Sequence, residues 1–304
     1  MKPREFRLFG CRELRHMPVG LGNCIGLQVL DFFVAKGRSW SWMNPNSPGD
    51  SDDYEVGGLT DLNHLNNLKG GLTIKVDGKW SSESEARAAN LQGKEKLTEL
   101  GIEFVGGSSR DNEMMLEGFQ PNVNLRNLWI EGYRGQSIPS WIDNKNYLSN
   151  LQQISISGWE ACVFLGSFGR LPYLKILKIS LLPNLEYIEG TTTGSSSDDM
   201  LNADANANFD HHPNNAPSAA SLFPSLEALT LHLLPKLKGW STMCASKSKD
   251  RCFSSAAGAI IFPRLKGLYL QNVGLEIVPE EFQGLSSLEY LQIAYCKLLK
   301  GVPE

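Results

Sequence analysis

Few residues in this 304-residue chain have the types and spacing that catalysis or ligand binding requires. The glycine-rich run from Gly20 to Gly26 places its last glycine one residue too late for the phosphate-binding pattern GxGxxG. The patterns GxxxxGK(S/T), HExxH and GxSxG do not occur either. Because the phosphate loop, the zinc helix and the nucleophile elbow are all missing, the sequence predicts no catalytic residue, no metal site and no cofactor.

The five histidines do not suggest an acid–base or metal centre. His211 and His212 are adjacent but lack a carboxylate or thiol partner at ligand spacing, so we expect exposed polar residues. His232 is the histidine expected on a strand, next to Leu231, where an exposed polar residue is favoured over a general base. An enzyme is therefore the least favoured class of function.

The chain is instead organised by a recurring Lxx(L/I)x(L/I) frame, whose clearest copy is Leu125, Leu128 and Ile130. Successive second positions are separated by 42, 28, 28, 26, 23, 52, 39 and 23 residues. The shorter steps match the roughly 20–29 residue period of leucine-rich repeats, and the three long steps indicate insertions. These second positions are Leu30, Leu72, Leu100, Leu128, Ile154, Leu177, Leu229, Leu268 and Leu291.

This frame predicts a stack of short parallel strands. Side chains alternate along a strand, so the leucines face one side and the residues between them face the other. One copy cannot bury its leucines alone, and successive copies therefore stack. We expect one α/β domain over residues 1–304, a leucine-rich-repeat solenoid of about nine repeats curved into a horseshoe. A parallel sheet should form its concave face, with an irregular, short-helical convex side and a core that includes Leu128, Leu177, Leu268 and Leu291.

Three polar stretches interrupt the repeats near residues 38–57, 191–221 and 241–261. The longest has almost no large apolar side chains to offset the entropy of ordering it, which predicts a disordered or mobile insertion. The basic cluster from Lys247 to Arg251 is interpreted as part of a solvated loop and not as a phosphate site.

Charge and hydropathy exclude two classes of partner. The formal net charge of −4 provides no basic field for nucleic acid or for an anionic membrane. No apolar run approaches the roughly 20 residues that span a bilayer, and no signal-peptide core follows Met1. We expect neither nucleic-acid binding nor membrane insertion.

The six cysteines are scattered, and no Asn-x-Ser/Thr sequon occurs. Cys11 and Cys296 occupy the turn position that Asn or Cys usually fills, which favours buried thiols. Cys244 and Cys252 offer a pairing across an insertion, but the cysteine caps of secreted solenoids are absent. A reducing, cytoplasmic location is predicted, with the nucleus as a further possibility.

The segments between the strands carry a specific resemblance. Residues Ala86 to Leu97, Glu113 to Ile142 with its Gln-Pro and Pro-Ser-Trp-Ile phrases, and Leu165 to Leu174 resemble plant nucleotide-binding leucine-rich-repeat disease-resistance proteins of the coiled-coil class. The opening from Leu14 to Val34 is similar to the family's passage into its long inter-repeat segment. The family carries coiled-coil and nucleotide-binding domains upstream, and neither is present in this chain. Because the chain starts within a repeat and without a polar cap, we expect further sequence before it.

The resemblance implies a protein-binding module of an intracellular plant immune receptor. Its partners would be a pathogen effector or a guarded host protein, together with the coiled-coil and nucleotide-binding domains of the same receptor, whose switch it would hold closed. The alternative is a stand-alone scaffold or a ubiquitin-ligase substrate adaptor. An adaptor would need an F-box-like helical segment, which this chain lacks.

The repeat pattern also selects the candidate binding face, which consists of the residues between and beside the strand leucines. Aromatic residues are over-represented in interface hot spots, so the aromatic members stand out, although they would also serve simply to shield the sheet. Trp141 and Trp159 lie beyond the strands and should pack in turns. The candidate protein-binding residues are Trp129, Glu131, Gln153, Ser155, Lys178, Thr230, His232, Tyr269, Gln271, Tyr290 and Gln292.

Overall fold

The computed structural model describes residues 3–8, 10–11, 13–36, 57–78, 80, 82–144, 146–166, 168–189, 223–241, 261–277 and 285–301. The predicted insertions lie outside these residues except at their margins, and so do His211, His212, Cys244 and Cys252. Within the described residues the strands are β1 Glu5–Phe6, β2 Val29–Leu30, β3 Phe32–Lys36, β4 Gly70–Asp77, β5 Leu97–Phe104, β6 Asn127–Glu131, β7 Gln153–Ser157, β8 Ile176–Ser180, β9 Tyr187–Glu189, β10 Ala228–Leu234, β11 Gly239–Ser241, β12 Gly267–Val273 and β13 Tyr290–Ala294. The helices are α1 Leu59–Asn63, α2 Glu83–Arg87, α3 Ser109–Gly118 and α4 Ser140–Asp143.

Nine of the strands form one parallel sheet in the order β3, β4, β5, β6, β7, β8, β10, β12, β13. The second position of every frame from β4 onwards lies opposite its counterpart on the next strand, and this register continues across the two long steps after β8 and β10. The paired residues are Leu72, Leu100, Leu128, Ile154, Leu177, Leu229, Leu268 and Leu291. The predicted solenoid with a parallel sheet is therefore confirmed.

The first frame differs from the prediction by one residue. Phe33, and not Phe32, lies opposite Ile74 and is fully buried, whereas Phe32 is half-buried. Asp31 interrupts the strand between β2 and β3, where its carboxylate accepts the Leu8 N–H at 2.6 Å. The interruption inserts one residue, which moves the inward position along the chain as a bulge does.

The frame leucines form a continuous hydrophobic core behind the sheet. Leu128, Leu177 and Leu268 are at most 2% exposed, as predicted. The same prediction was wrong for Leu291, which is 49% exposed. Strand β13 has a neighbour in the sheet on one side only, so half of the packing that buries the equivalent leucines is missing there.

Short helices cover the core behind the first strands of the sheet. The longest, α3, begins with a capping box in which Ser108 Oγ accepts the Asp111 N–H and the Asp111 carboxylate accepts the Ser108 N–H. Asn112, on the same helix, is buried and donates to the Gly106 carbonyl while accepting the Arg134 N–H. It thereby joins the turns that follow β5 and β6.

Two tryptophans beyond the strands are buried, as expected, although Trp141 packs from helix α4 and only Trp159 lies in a turn. Trp141 is 2% exposed and donates its indole N–H to the Leu116 carbonyl at 2.9 Å. Trp159 is fully buried, with its ring 4.7 Å from that of Tyr133, which lies 5.6 Å from the ring of Phe104. Aromatic residues at the ends of three successive strands therefore contact one another along the solenoid with tilted rings.

One cation lies inside the part of the core that the helices cover. Lys94 is fully buried, and its ammonium group donates to the Leu62 carbonyl near the end of α1 at 2.6 Å. Burial lowers the pKa of Lys94 to about 8. The contact ties the turn before β5 to the preceding repeat.

The cysteines only partly follow the expectation of buried thiols. Cys11 is exposed, which contradicts the prediction, because β1 beside it pairs with β2 alone and is not covered by the main sheet. Cys296 is half-buried. Cys162, which the frame did not single out, is buried, and burial raises the pKa of its thiol to about 12.

Candidate functional site

The side of the nine-stranded sheet that faces away from the core, which we call the open face, corresponds to the predicted concave face. Its side chains alternate with the frame leucines, and strand register sets them in rows across the sheet. The middle row from β6 to β13 consists of Trp129, Ser155, Lys178, Thr230, Tyr269 and Gln292.

All eleven residues predicted as a binding surface lie on the open face, and none is fully buried. The half-buried members are Trp129, Gln153, Ser155, Thr230 and His232. The exposed members are Glu131, Lys178, Tyr269, Gln271, Tyr290 and Gln292. The structure thus brings these residues onto one surface.

A groove of about 640 Å³ runs along part of this face. Ser155, Ser180, Ala228 and Thr230 contribute small side chains to its lining. Trp129 and Glu131 lie beyond its lining on the preceding strand β6, and Gln153 and Tyr290 lie outside it on β7 and β13, which contribute Ser155 and Gln292. The seven predicted residues that line the groove are Ser155, Lys178, Thr230, His232, Tyr269, Gln271 and Gln292.

Two tyrosines form an aromatic platform at the end of the groove. The rings of Tyr269 and Tyr290 stack with centroids 4.9 Å apart and an interplanar angle of 28°. The Tyr290 hydroxyl is 3.1 Å from Gln292 Oε1 and donates to it. Tyr269 also lies beside Gly267, where an added Cβ would be 3.2 Å from the ring. The platform is held by the Tyr290–Gln292 hydrogen bond and the ring contact, yet the tyrosines remain 37% and 49% exposed.

Trp129 occupies the corresponding position on the other side of the groove. Gly101 lies opposite it on β5, and a Cβ added there would overlap the indole ring. The absence of a side chain at Gly101 thus allows the indole to lie across the neighbouring strand and leaves it half-buried. Trp129 therefore shields the backbone of β5 while one part of its ring remains accessible.

Charge is distributed unevenly over the open face. Strands β5 and β6 present Glu99, Glu103 and Glu131. On β7, β8, β10, β12 and β13, the one formally charged residue at the open-face positions is Lys178. Its partner on the next strand is Thr230, and His232 follows Thr230 by two residues. Lys75 on β4 lies opposite Glu103 and offsets part of this negative charge. The face therefore has an acidic part on β5 and β6, and an aromatic and polar part that contains one lysine.

The described side chains offer little for catalysis. Within the described ranges, no group of three or more His, Cys, Asp and Glu residues is placed to hold a metal ion. His232 lies between Ser180 and Gln271 on the adjacent strands, and neither can act as its carboxylate partner. None of the helices in the described part of the chain combines the length and apolar composition that crossing a bilayer requires.

A second groove, of about 380 Å³, lies where the strands end, and sequence reasoning missed it. From β6 onwards, the residue after the last open-face position of each strand of the sheet has a positive φ, for example 71° at Gly132, 69° at Gly158, 60° at Leu181 and 55° at Leu233. This conformation turns Leu181 outwards, where it is 47% exposed. The groove is lined by Gly158, Glu160, Leu181, Pro183, Leu233, Pro235 and Asn272.

Comparison with known proteins identifies relatives of the chain. Residues 59–182 match the family described as R13L1/DRL21 leucine-rich repeats. The chain is 27% identical over 281 residues to the putative disease resistance protein RGA1 of Solanum bulbocastanum, an alignment that covers 84% of this chain and 26% of the relative. It is 28% identical over 279 residues to the disease resistance protein RGA2 of the same plant, with coverage of 84% and 25%. The chain thus spans about a quarter of the length of these relatives.

A solved structure of a leucine-rich-repeat protein from Leptospira interrogans is similar with a TM-score of 0.48 and 18% identity, covering 92% of this chain and 52% of that one. The relatives confirm the resemblance that the inter-strand segments indicated.

Proposed function

We propose that this chain, a leucine-rich-repeat domain of the plant disease-resistance type, is the protein-binding module of an intracellular immune receptor. In this proposal the open face binds a pathogen effector, either directly or through a guarded host protein. The same domain restrains the nucleotide-binding switch of the receptor through contacts with its nucleotide-binding and coiled-coil domains.

The observation that carries the proposal is the composition and extent of the open face. Nine strands at a spacing of about 4.8 Å give a face roughly 40 Å wide, which suits a macromolecule better than a metabolite. Polar side chains that can adapt to a partner surround the indole of Trp129 and the platform of Tyr269 and Tyr290. Exposed aromatic side chains within a polar surround are the usual anchors of protein interfaces.

The test is a triple alanine variant of Trp129, Tyr269 and Tyr290, introduced into the receptor that carries this chain. Truncation of a hot-spot aromatic weakens binding by about 2 kcal/mol, so the variant should lose most of its affinity for the partner. Expressed in leaves, it should show altered effector-triggered cell death. If the same residues serve the restraining contact, the variant should cause cell death without effector.

A matched control is Tyr173→Ala. Tyr173 is 57% exposed but precedes β8 and does not belong to the open face. The control should retain partner affinity, restraint and cell death. If the triple variant behaved as the control does, the open face would not be the working surface, and the edge of the solenoid near the exposed Tyr295 would replace it as the candidate.

A further inference from the structure

The middle row of the open face has an ordered composition. From β6 to β12 it consists of an aromatic residue, a small polar residue, a lysine, a small polar residue and an aromatic residue. Neighbouring strands are about 4.8 Å apart, so the lysine lies about 10 Å from each aromatic position along the row. The five residues are Trp129, Ser155, Lys178, Thr230 and Tyr269.

Lys178 is the lysine that lines the groove, and unlike several lysines of neighbouring repeats it has no acidic partner among the described residues. Lys238, Lys266 and Lys300 each lie within 3.1 Å of a glutamate carboxylate. Among the described residues, Lys178 forms no ion pair. Its side chain is exposed and lines the groove. Its ammonium group is therefore available to a carboxylate from another molecule.

The neighbours of Lys178 favour the same kind of ligand. Ser155 and Thr230 lie opposite it on the adjacent strands, and both line the groove with hydroxyl groups that can donate to an acceptor. The acidic side chains of Glu99, Glu103 and Glu131 lie on β5 and β6, outside the groove lining. They repel an acidic ligand from that part of the face and thereby set the position at which it binds.

We propose that the groove binds an acidic segment of the partner protein, with a carboxylate on Lys178 and an apolar or aromatic side chain on the platform of Tyr269 and Tyr290. This inference rests on the proposed function, because it names the chemistry of the partner that the open face binds. Between these two contacts lies β10, whose small side chains Ala228 and Thr230 leave room for the segment.

The test uses a phage-displayed library of random 12-residue peptides, panned on the 304-residue chain. Peptides selected by the native chain should be enriched in Asp and Glu and should contain an aromatic or large aliphatic residue. Lys178→Glu should lose the acidic enrichment. Lys175→Glu makes the same charge change at an exposed residue just before β8, outside the groove lining, and should keep it.

A selected acidic peptide then gives the quantitative comparison. Its affinity should fall by about fivefold with Lys178→Gln, which removes the charge but keeps the length of the side chain approximately, and further with Lys178→Glu. Added salt should weaken binding to the native chain more than binding to Lys178→Gln, because salt screens the pairing of opposite charges. Lys178 is exposed, so circular dichroism should show all variants folded.

The outcomes separate this inference from the proposed function. Peptides that lack acidic enrichment, yet are lost with the triple alanine variant of Trp129, Tyr269 and Tyr290, overturn the acidic ligand and leave protein binding at the open face standing. Selection of basic peptides that still bind Lys178→Glu also overturns it, and points to the glutamates of β5 and β6. Peptides that bind equally well to the native chain, the Lys178 variants and the triple alanine variant count against both the acidic ligand and the proposed function. A failure to select any peptide also counts against both.

Discussion

The repeats before and after residue 144 share one sheet but cover its core in different ways. Between β4 and β7, where the frame steps are 28, 28 and 26 residues, the returning segments contain the helices α2, α3 and α4. Between β7 and β8 the step is 23 residues, and the returning segment contains only a 3-10 turn at Phe168–Arg170 among its described residues. The leucine frame determines the positions and register of the strands. The length of the returning segment determines whether a helix fits behind the sheet.

The two regions also differ in what they bury and expose. The buried polar residues of the described chain, Lys94 and Asn112, both lie in the helical region, where each bonds to a neighbouring repeat. The far end of the later region instead exposes large apolar side chains, namely Ile277, Tyr290, Leu291, Tyr295 and Leu298. Stability in the first region depends partly on specific hydrogen bonds, and in the second on stacking that is incomplete at β13.

The largest effect on stability should come from Leu268→Asp. It is compared with Leu291→Asp, the same substitution at the equivalent frame position of the adjacent strand. Leu268→Asp buries a charge without a partner and removes a leucine that is 1% exposed, so it should cost about 4 kcal/mol or more of unfolding free energy. Leu291→Asp, at a position that is 49% exposed, should cost about 1 kcal/mol. Chemical denaturation followed by circular dichroism measures both.

Equal losses from the two aspartates would show that β13 is packed as fully as β12, and the contrast between the interior and the end of the sheet would be wrong. An unchanged thermal midpoint for Leu268→Asp would contradict the solenoid core itself.

A smaller, pH-dependent effect should distinguish the helical region. The pKa of Lys94 is lowered from 10.5 to about 8 in the folded chain, so between these values the unfolded chain binds more protons and stability rises with pH. Lys94→Met removes this dependence. The unfolding free energy of the variant minus that of the native chain should therefore be larger at pH 7 than at pH 10. The expected difference between the two pH values is about 2 kcal/mol, after allowance for partial hydration of the Lys94 ammonium group. Urea unfolding at several pH values measures the difference.

Lys96→Met is the control, because Lys96 is exposed two residues away. It should follow the native chain at every pH. If Lys94→Met also followed the native chain, Lys94 would stay hydrated and the buried cation would not distinguish the two regions.

The sequence predicted most of the sheet because the frame is a property of spacing alone. Strand register from Leu72 to Leu291 and the orientation of all eleven candidate residues both come from alternation at period two. The contact of Trp129 with Gly101 also had a signal, since both residues occupy the middle position of adjacent frames.

What the sequence did not predict depends on neighbours that spacing does not reveal. The shift to Phe33 results from a contact between Asp31 and the distant Leu8 N–H. Leu291 has the same frame as Leu268 but lacks a strand on one side. The burial of Lys94 depends on the Leu62 carbonyl of another repeat, and no period in the sequence marks that pairing.

The smallest effect concerns the residue with positive φ that follows the last open-face position of each sheet strand from β6 onwards. This residue is glycine for β6 and β7 and a larger residue for β8, β10, β12 and β13. Gly132 has a φ of 71°, and an added Cβ would overlap the Phe104 carbonyl. Gly132→Ala should therefore cost about 2 kcal/mol through strain and overlap. Leu181 adopts a φ of 60° at the cost of strain, and it is 47% exposed.

Leu181→Gly should relieve that strain, which stabilises the folded chain by about 1 kcal/mol. The greater conformational freedom of glycine in the unfolded chain should destabilise the folded chain by a similar amount. The net change in unfolding free energy should therefore lie within about 0.5 kcal/mol. Thermal unfolding of the two variants makes the comparison. A near-neutral result means that stability does not require leucine at this position, and the side chain is then available to the groove that it shares with Leu233 and Pro235. A loss as large as that of Gly132→Ala would instead make Leu181 part of the packing, and the strand ends with glycine and those with a larger residue would not differ in how they contribute to stability.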